Sequence, residues 1–291
     1  MIEALIGFGA VLTLVLLRMP LAFAMGLVGM VGYMHETSFR GALSMVSRLI
    51  IDTSQDYGLS VVPLFILMGL FVNKGGIARE LYQVSYAFLG HMRGGLAMAT
   101  ILACGGFAAI CGSSLATAAT MSKVAMPQMR KYGYEDSLST ASIAAGGTLG
   151  ILIPPSVILI VYGVAAELSI ARLFIAGVLP GALVVGLYML YVGGWSMLNP
   201  SRVPAKDPPM AIGERFRNSG ALIPIGLLIV GVIGSIYLGL ASPTDSAAVG
   251  VVLSLVLSWW FGDLTWQSFR ESLIGATLSS AMIAFIMSGA A

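Results

Sequence analysis

The stretch "GGTLGILIPPSVILIVYG", residues 146–163, combines an apolar composition with two adjacent prolines at its centre. Its side chains suit the interior of a bilayer, and the stretch is about as long as one crossing requires. Proline, however, has no backbone N–H and clashes with the preceding helical turn, which costs about 3 kcal/mol or more inside a helix. The stretch therefore predicts a membrane-spanning helix that breaks near Pro154 and Pro155.

The composition of the whole chain places this segment in a membrane protein. Of its 291 residues, 58% are hydrophobic and 10% are charged. Soluble domains carry about a quarter charged residues, so the prediction is an all-α polytopic membrane protein in contact with lipids. The alternating ten-residue pattern of outer-membrane barrels is absent, and a net charge of +2 does not indicate nucleic acid binding. Apolar spans lie at roughly 2–17, 21–34, 59–73, 94–128, 137–168, 172–198, 220–240, 244–261 and 273–291.

Residues 94–128 form a span that is too long for one crossing and has a polar, flexible centre. The central sequence "CGGFAAICGSSLATAAT" (104–120) gathers glycine and serine where a turn inside the membrane needs them. Basic residues precede and follow the span, and such residues favour the cytoplasmic side. Both ends are therefore predicted on the inner face, which indicates a re-entrant hairpin rather than a crossing. These basic residues are Lys74, Arg79, Arg93, Lys123, Arg130 and Lys131.

Extending this assignment along the chain predicts the sidedness of the other segments. Residues 137–168 run outward, 172–198 return, and the proline-rich loop 199–219 is cytoplasmic. The polar loop 35–58 is then outside, and so is the N-terminus. The first span contains Glu3 and lacks a basic leader, so it is predicted to remain in the membrane rather than to be cleaved.

One connector on the predicted inner side has two interpretations. "RELYQVSYAFLGHMR" (79–93) is either an amphipathic helix at the inner interface, with Tyr82, Tyr86 and Phe88 at headgroup level, or a solvated connector.

The residues that carry chemistry do not indicate an enzyme. His35 and His91 fall in different loops, and no phosphate-binding glycine motif occurs. Cys104 and Cys111 are favoured as two small core residues over a disulfide. Asp245 follows a proline at a helix start, where capping is favoured over ion or proton binding.

Two stretches combine an interrupted helix with small hydroxyl-bearing residues: "CGSSLATAAT" (111–120) and "GGTLGILIPPS" (146–156). Unwound backbone and hydroxyls supply oxygens to a dehydrated Na⁺, while the N-termini of half-helices present N–H groups to an anion. The alternative is that glycine and proline here serve only as kinks and packing surfaces. Because both helix breaks are predicted at a similar depth in the membrane, a binding site is favoured over kinks and packing surfaces.

Longer motifs in the chain resemble those of a known family. The motifs are "CGSSLATAATMSKVAMPQMRKYGY" (111–134), "STASIAAGGTLGILIPPSVILIVYG" (139–163) and "LSIARLFIAGVLPG" (168–181), with "RMPLAFAMGLVG" (18–29), "VPLFILMG" (62–69) and "SPTDSAAVG" (242–250). Together they are similar to the large membrane subunit of tripartite ATP-independent periplasmic (TRAP) transporters.

The resemblance implies a secondary transporter in the bacterial inner membrane, with its N-terminus in the periplasm. Its partners would be a small four-helix membrane subunit and a periplasmic binding protein that delivers an organic acid such as a C4-dicarboxylate. Import would be driven by Na⁺, with no other cofactor, through an elevator motion of a domain built from hairpins and broken helices. Carried onto this chain, the substrate would meet Gly112, Ser113, Ser114, Pro154 and Pro155. The ion would meet Ser113, Thr117, Gly146, Gly147, Thr148 and Gly150.

The resemblance also implies an inverted repeat. Residues 1–198 would form the first repeat, 199–219 the linker, and 220–291 the start of a second repeat. Family members continue for more than a hundred further residues with a second hairpin, so the chain is expected to be C-terminally truncated. Two alternatives remain: an anion symporter or channel that needs no binding protein, and a truncated membrane assembly subunit without transport of its own.

Overall fold

The computed structural model describes residues 2–200, 202–204, 210–260 and 264–290, and all the regular elements within them are helices. This confirms the prediction of an all-α protein. By length and composition, four helical stretches of the described residues can cross a membrane: Tyr57–Lys74, Asp136–Ala165, Ile170–Leu198 and Trp266–Ala290. The described residues divide into two compact units, 2–60 with 277–290 and 61–276.

The first unit contains α1 (Ile2–Leu16), α2 (Leu21–Glu36), α3 (Phe39–Gln55) and the end of α15. Helix α3 overturns the prediction of a polar loop over 35–58. Its N-terminus is capped by Ser38, whose Oγ accepts the Gly41 N–H at 3.1 Å. Apolar residues recur on one side of α3 and charged residues on the other, so the helix is amphipathic. Averaged over both sides, its sequence is as polar as that of a loop.

The second unit holds the predicted hairpin and broken helix. Its helices are α4 (Val61–Lys74), α5 (Ile77–Leu89), α6 (Gly95–Cys111), α7 (Ser114–Lys131), α8 (Asp136–Leu152), α9 (Val157–Ala165), α10 (Ile170–Leu198), α11 (Ile212–Asn218), α12 (Ile223–Ile229), α13 (Ser235–Tyr237), α14 (Pro243–Trp260) and the start of α15 (Trp266–Ala290). A π-helical segment, Val230–Gly234, joins α12 to α13. The division into two repeats concerns internal symmetry and stays a prediction.

Helices α6 and α7 form a helical hairpin, because only Gly112 and Ser113 separate them. That the hairpin enters and leaves the membrane on the same face stays a prediction. Gly112 has φ +63°, in the left-handed region that glycine enters without steric cost. Ser113 is extended and is the N-cap residue of α7. At the end of the hairpin opposite its turn, Arg130 donates two hydrogen bonds of 2.9 Å to Asp136, the first residue of α8, and so holds α7 against α8. Residues 94–128 are therefore not one continuous helix.

The broken helix is present as well. Helix α8 ends at Leu152 and α9 begins at Val157, with both prolines in the gap. Ile153 has φ −80° and ψ 124°, the extended conformation that a following proline favours.

The connector at 79–93 is mostly helical, since α5 extends to Leu89. The prediction that Tyr82 lies at headgroup level is wrong, because Tyr82 is 4% exposed and buried within the protein. The interpretation of Asp245 as a capping residue is confirmed: Asp245 Oδ2 accepts the Ser242 N–H at 3.3 Å, and Ser242 Oγ accepts the Asp245 N–H at 3.2 Å.

Candidate functional site

The turn of the hairpin lies directly against the gap in the broken helix. The Gly112 carbonyl accepts the Val157 N–H at 3.2 Å, so a residue of the hairpin turn satisfies the first donor of α9. A Cβ atom on Gly112 would lie 2.5 Å from the Pro155 carbonyl oxygen, and one on Gly150 would lie 2.5 Å from that of Ser113. The two stretches that the sequence singled out therefore meet backbone to backbone.

Hydroxyl groups in the hairpin turn are tied to the start of α7. Ser113 Oγ accepts the Ala116 N–H at 3.4 Å, which is an N-cap. Thr117 Oγ1 donates to the Ser113 carbonyl at 2.8 Å, and the Thr117 side chain is fully buried. Ser114, the first residue of α7, is half-buried. Oxygens of Ser113, Ser114 and Thr117 are thus gathered within one turn of helix.

The gap in the broken helix leaves main-chain groups without their usual helical partners. Pro154 has no N–H to give to the Gly150 carbonyl. The Ile151 carbonyl is instead satisfied by Ser156, whose Oγ donates to it at 2.7 Å. Ser156 is fully buried and precedes α9, so its side chain closes the last turn of α8 while its backbone starts the next helix.

Four helix ends consequently converge in a small volume. The C-termini of α6 and α8 present carbonyl groups, and the N-termini of α7 and α9 present N–H groups. Carbonyl ends carry partial negative charge and N–H ends partial positive charge. The arrangement can hold a cation and an anion side by side without a formally charged side chain. Among the described residues, no group of three His, Cys, Asp or Glu side chains is placed to hold a metal ion.

The paired glycines of the broken helix lie inside α8 rather than in the gap. A Cβ atom on Gly146 would lie 2.6 Å from Cys104 Sγ, and one on Gly147 would lie 2.8 Å from Ala118 Cβ. These glycines therefore let α8 approach both arms of the hairpin closely. Cys104 and Cys111 are free and buried, which confirms them as core residues.

Thr148 is the predicted residue that the structure places away from the hairpin turn. Its side chain is exposed, and Thr148 Oγ1 donates to the Ala145 carbonyl at 2.7 Å. The same oxygen lies 3.3 Å from the Tyr188 hydroxyl on α10. The predicted residues Gly112, Ser113, Ser114, Thr117, Gly150, Pro154 and Pro155 border the junction of the hairpin and the broken helix, whereas Gly146 and Gly147 contact the arms of the hairpin.

Sequence reasoning missed one neighbour of this junction and one neighbour of Thr148. Gly69 on α4 lets that helix reach the hairpin turn, because a Cβ atom there would lie 3.0 Å from the Cys111 carbonyl oxygen. Tyr188 on α10 is the other, through its contact with Thr148. Both contacts join residues about forty positions apart in the chain, and no local pattern announces them.

Comparisons with known proteins show which family the sequence matches. The family model described as "Tripartite ATP-independent periplasmic transporter, DctM component" matches residues 8–291. The chain is 38% identical over 240 residues to the C4-dicarboxylate TRAP transporter large permease protein DctM of Pseudomonas aeruginosa, covering 82% of this chain and 56% of that protein. It is 31% identical over 306 residues to the protein of the same name from Rhodobacter capsulatus, covering 99% and 68%.

A third relative carries a different substrate in its name. The ectoine/5-hydroxyectoine TRAP transporter large permease protein UehC of Ruegeria pomeroyi is 38% identical over 234 residues, covering 80% of this chain and 54% of that protein. The chain thus spans between about half and two thirds of the length of these three relatives.

Proposed function

Because the chain belongs to the DctM-component family of tripartite ATP-independent periplasmic transporters, we propose that it is the large permease subunit of a secondary transporter, and not an enzyme. The proposed cargo is an organic acid. The observation that carries the proposal is the contact between hairpin and broken helix, in which the Gly112 carbonyl accepts the Val157 N–H at 3.2 Å. That contact sets helix ends of opposite partial charge side by side.

The proposed anion site uses the N-terminal ends of α7 and α9. Gly112, Ser113 and Ser114 border it on the hairpin, and Pro154 and Pro155 border it on the broken helix. A carboxylate suits such a site because backbone N–H groups and a positive helix end stabilise negative charge. The named substrates of the relatives, C4-dicarboxylate and ectoine, belong to those proteins; for this chain we propose only the class of organic acid.

The proposed coupling ion is Na⁺, held by neutral oxygens. The candidate donors are Ser113 and Thr117 on the hairpin, and the backbone or hydroxyl oxygens of Gly146, Gly147, Thr148 and Gly150 on α8. The donor chemistry fits Na⁺, because Ser113 and Thr117 bring hydroxyls and Pro154 leaves the Gly150 carbonyl without its helical donor. A bound Na⁺ would supply positive charge beside the carboxylate and couple import to the ion gradient.

The remaining parts of the proposal follow the family. The chain would work in the bacterial inner membrane, with its N-terminus in the periplasm, together with a small membrane subunit and a periplasmic binding protein. The proposal includes an inverted repeat that works by an elevator motion, and a short sequence recurs at matching places in the two proposed repeats. Ser38-Phe39-Arg40 opens α3, and Ser268-Phe269-Arg270 lies in the first turns of α15. Each follows a helix that starts at a proline, Pro20 before α2 and Pro243 in α14.

Ion binding can be tested without knowing the substrate. The midpoint of thermal unfolding of the purified chain in detergent is compared in NaCl and KCl at equal ionic strength. We expect Na⁺ to raise the midpoint, because an ion that binds only the folded state stabilises it. Ser113→Ala and Thr117→Val should abolish the difference, and Thr148→Ala tests that donor separately. Ser122→Ala is the matched control, since Ser122 also bonds a carbonyl on α7 but lies two turns from the hairpin turn.

Transport is tested by uptake of labelled succinate, a C4-dicarboxylate probe, into vesicles that contain the chain with its partner proteins. We expect uptake to require both an inward Na⁺ gradient and the binding protein. Uptake without the binding protein would point to a self-sufficient symporter. Equal unfolding midpoints in Na⁺ and K⁺ for the unmodified chain would contradict the ion site.

A further inference from the structure

Lys123 is a charged residue in the interior of the hairpin. In the sequence from 95 to 165, which holds the hairpin and the broken helix, the other charged residues fall within 130–136, where α7 ends and α8 begins. The sidedness prediction counts Lys123 with these end residues, but the structure places it midway between Ser114 and Lys131, the ends of α7. Compensation of a helix end by charge acts within the last turn and so does not explain this lysine.

Contacts between α7 and α8 fix the level of Lys123. The two helices are antiparallel neighbours, because a Cβ atom on Gly147 of α8 would lie 2.8 Å from the Cβ of an alanine in α7, and Arg130 pairs with Asp136 at their other end. Asp136 begins a stretch, Asp136–Ala165, that can cross a membrane by length and composition. Lys123 precedes Arg130 by seven residues, which is about 10 Å along the helix. In a bilayer that this stretch crosses, Lys123 lies between the end of the span and the hairpin turn.

The helix directs the Lys123 side chain toward the hairpin turn. The Cα–Cβ bonds of an α-helix tilt toward its N-terminus, and α7 begins at the turn. A lysine near the end of a membrane helix commonly extends its ammonium group to the nearer water interface. For Lys123 that extension would run against the tilt of its Cα–Cβ bond. Its position therefore favours a ligand on the side of the turn.

Lys123 has no protein partner for its charge in the part of the chain that the structure describes. The side chain is exposed, and it takes part in none of the ion pairs or hydrogen bonds of these residues. An ammonium group at membrane depth is costly, and such groups meet water, an anion or a backbone carbonyl when they are retained. An exposed, unpaired lysine at this level is thus free to bind an anion.

The surface around Lys123 suits water better than acyl chains. Helix α10 shows the contrast, since its exposed side is made of large apolar residues that suit lipid. The exposed residues of α7 before Arg130 are instead mostly small or polar. On α10 they include Ile175, Val178, Leu179, Leu183, Leu187 and Leu190. On α7 they are Leu115, Ala119, Ser122, Lys123, Pro127 and Gln128.

We infer that this side of α7 borders an aqueous route to the junction of the hairpin and the broken helix, and that the Lys123 ammonium binds a carboxylate of the cargo on that route. Charge-assisted hydrogen bonds make a carboxylate the natural partner of an unpaired ammonium. Lys123 follows Ser114 by nine residues, about 14 Å along the helix, so this contact is separate from the one at the junction. The cargo meets the two in succession. The inference rests on the proposed function, because the anion is the proposed cargo.

The first test measures whether Lys123 is reached from water and covered by a carboxylate. Trinitrobenzenesulfonate, a water-soluble anion that modifies amines, is applied to both sides of vesicles that contain the unmodified chain, and mass spectrometry reads each lysine. Lys131 is the matched control, because it is exposed at the end of the same helix. We expect Lys123 to react as Lys131 does. Increasing succinate should slow the modification of Lys123 about fivefold by mass action and leave Lys131 unchanged.

Succinamide, an uncharged analogue of succinate, separates charge from shape in this test and should protect neither lysine. Failure of Lys123 to react while Lys131 reacts would show that lipid or protein covers it and would overturn the inference. Equal rates at Lys123 with and without succinate would overturn it as well, since the residue would then face water without binding a carboxylate.

The second test is uptake of labelled succinate by the chain with its partner proteins. Lys123→Gln should lower the initial rate about tenfold, because a hydrogen bond to a charged group is lost. Lys123→Arg keeps the charge and should recover part of the rate, and Lys131→Gln should leave the rate unchanged. The stabilisation of Lys123→Gln by Na⁺ should equal that of the unmodified chain, which checks its fold. An unchanged rate for Lys123→Gln would overturn the inference, whereas no uptake by the unmodified chain would contradict the proposed function instead.

Discussion

Prolines interrupt one membrane-spanning segment of the second unit and leave another intact. Helix α10 runs from Ile170 to Leu198 through Pro180 without a break. Helix α8 ends at Leu152, before Pro154 and Pro155. A single proline removes one N–H, whereas two in succession remove two and restrict the residue before each of them. The number of adjacent prolines is the first difference between the two segments.

The second difference is what lies opposite each proline. At the gap, the hairpin contributes the Gly112 carbonyl to Val157, and Ser156 returns its hydroxyl to Ile151. On α10, Gly177 and Gly181 flank Pro180 and face the gap: their Cβ atoms would lie 3.1 Å from the Leu152 carbonyl oxygen and 2.9 Å from Ile153 Cγ1. A break at a proline pair is therefore stable when other groups form hydrogen bonds with the main-chain N–H and carbonyl groups that the break leaves without helical partners.

Among the substitutions considered, Gly112→Ala is expected to lower the stability of the protein most, because Gly112 lies where the hairpin turn contacts the gap in the broken helix. Alanine at φ +63° costs about 1–2 kcal/mol, and its Cβ would lie 2.5 Å from the Pro155 carbonyl oxygen, which adds about 1–3 kcal/mol. We expect the midpoint of thermal unfolding in detergent to fall by about 10 °C. The stabilisation by Na⁺ should disappear as well, because the hairpin turn is displaced.

The control for this substitution is Gly186→Ala in α10. Gly186 is helical, and nothing lies within 4 Å of its Cβ position. Alanine there should leave the midpoint unchanged or raise it slightly, since alanine favours the helix by about 1 kcal/mol. If Gly112→Ala behaved like Gly186→Ala, the contact between hairpin and gap would not be the feature that distinguishes the two segments.

Gly150→Ala is expected to have the next largest effect. Gly150 is in a helix, so alanine gains helix propensity, but its Cβ would lie 2.5 Å from the Ser113 carbonyl oxygen and 2.8 Å from the Ser114 nitrogen. The backbone of the hairpin has to move, and we expect a net loss of about 2 kcal/mol. A fall in the unfolding midpoint smaller than that of Gly112→Ala is the expected reading. A larger fall would mean that the left-handed turn matters less than the packing of α8.

The contrast also shows what the sequence could and could not predict. The hairpin follows from basic residues on both sides of a Gly- and Ser-rich centre, and the gap follows from the proline pair, since both signals are local. Helix α3 was missed because its charged face lowers the average hydrophobicity of an amphipathic segment. The positions of Thr148, Gly69 and Tyr188 depend on packing between distant segments, and no periodicity encodes them.

Ser156→Ala tests how the gap is kept open from the side of α8. The substitution removes the 2.7 Å hydrogen bond to the Ile151 carbonyl and leaves that carbonyl without this donor. A loss of about 1–2 kcal/mol is expected, because Ser156 is fully buried. Ser156→Thr keeps the hydroxyl and should recover part of the loss in unfolding midpoint. Equal losses for Ala and Thr would show that shape at this position, and not the hydroxyl, stabilises the gap.

The smallest effect is expected for Pro180→Ala. The substitution restores an N–H that can donate to the Ala176 carbonyl, which stabilises the helix. It also raises the conformational entropy of the unfolded chain, which favours unfolding. Because these contributions oppose each other, we expect the free energy of unfolding to change by less than about 1 kcal/mol. Helix α10 is already continuous, so its glycines should still face Ile153. We expect the unfolding midpoint and the stabilisation by Na⁺ to remain those of the unmodified chain. A large loss of either would mean that Pro180 shapes α10 to fit the gap, and the two proline sites would then act as one unit.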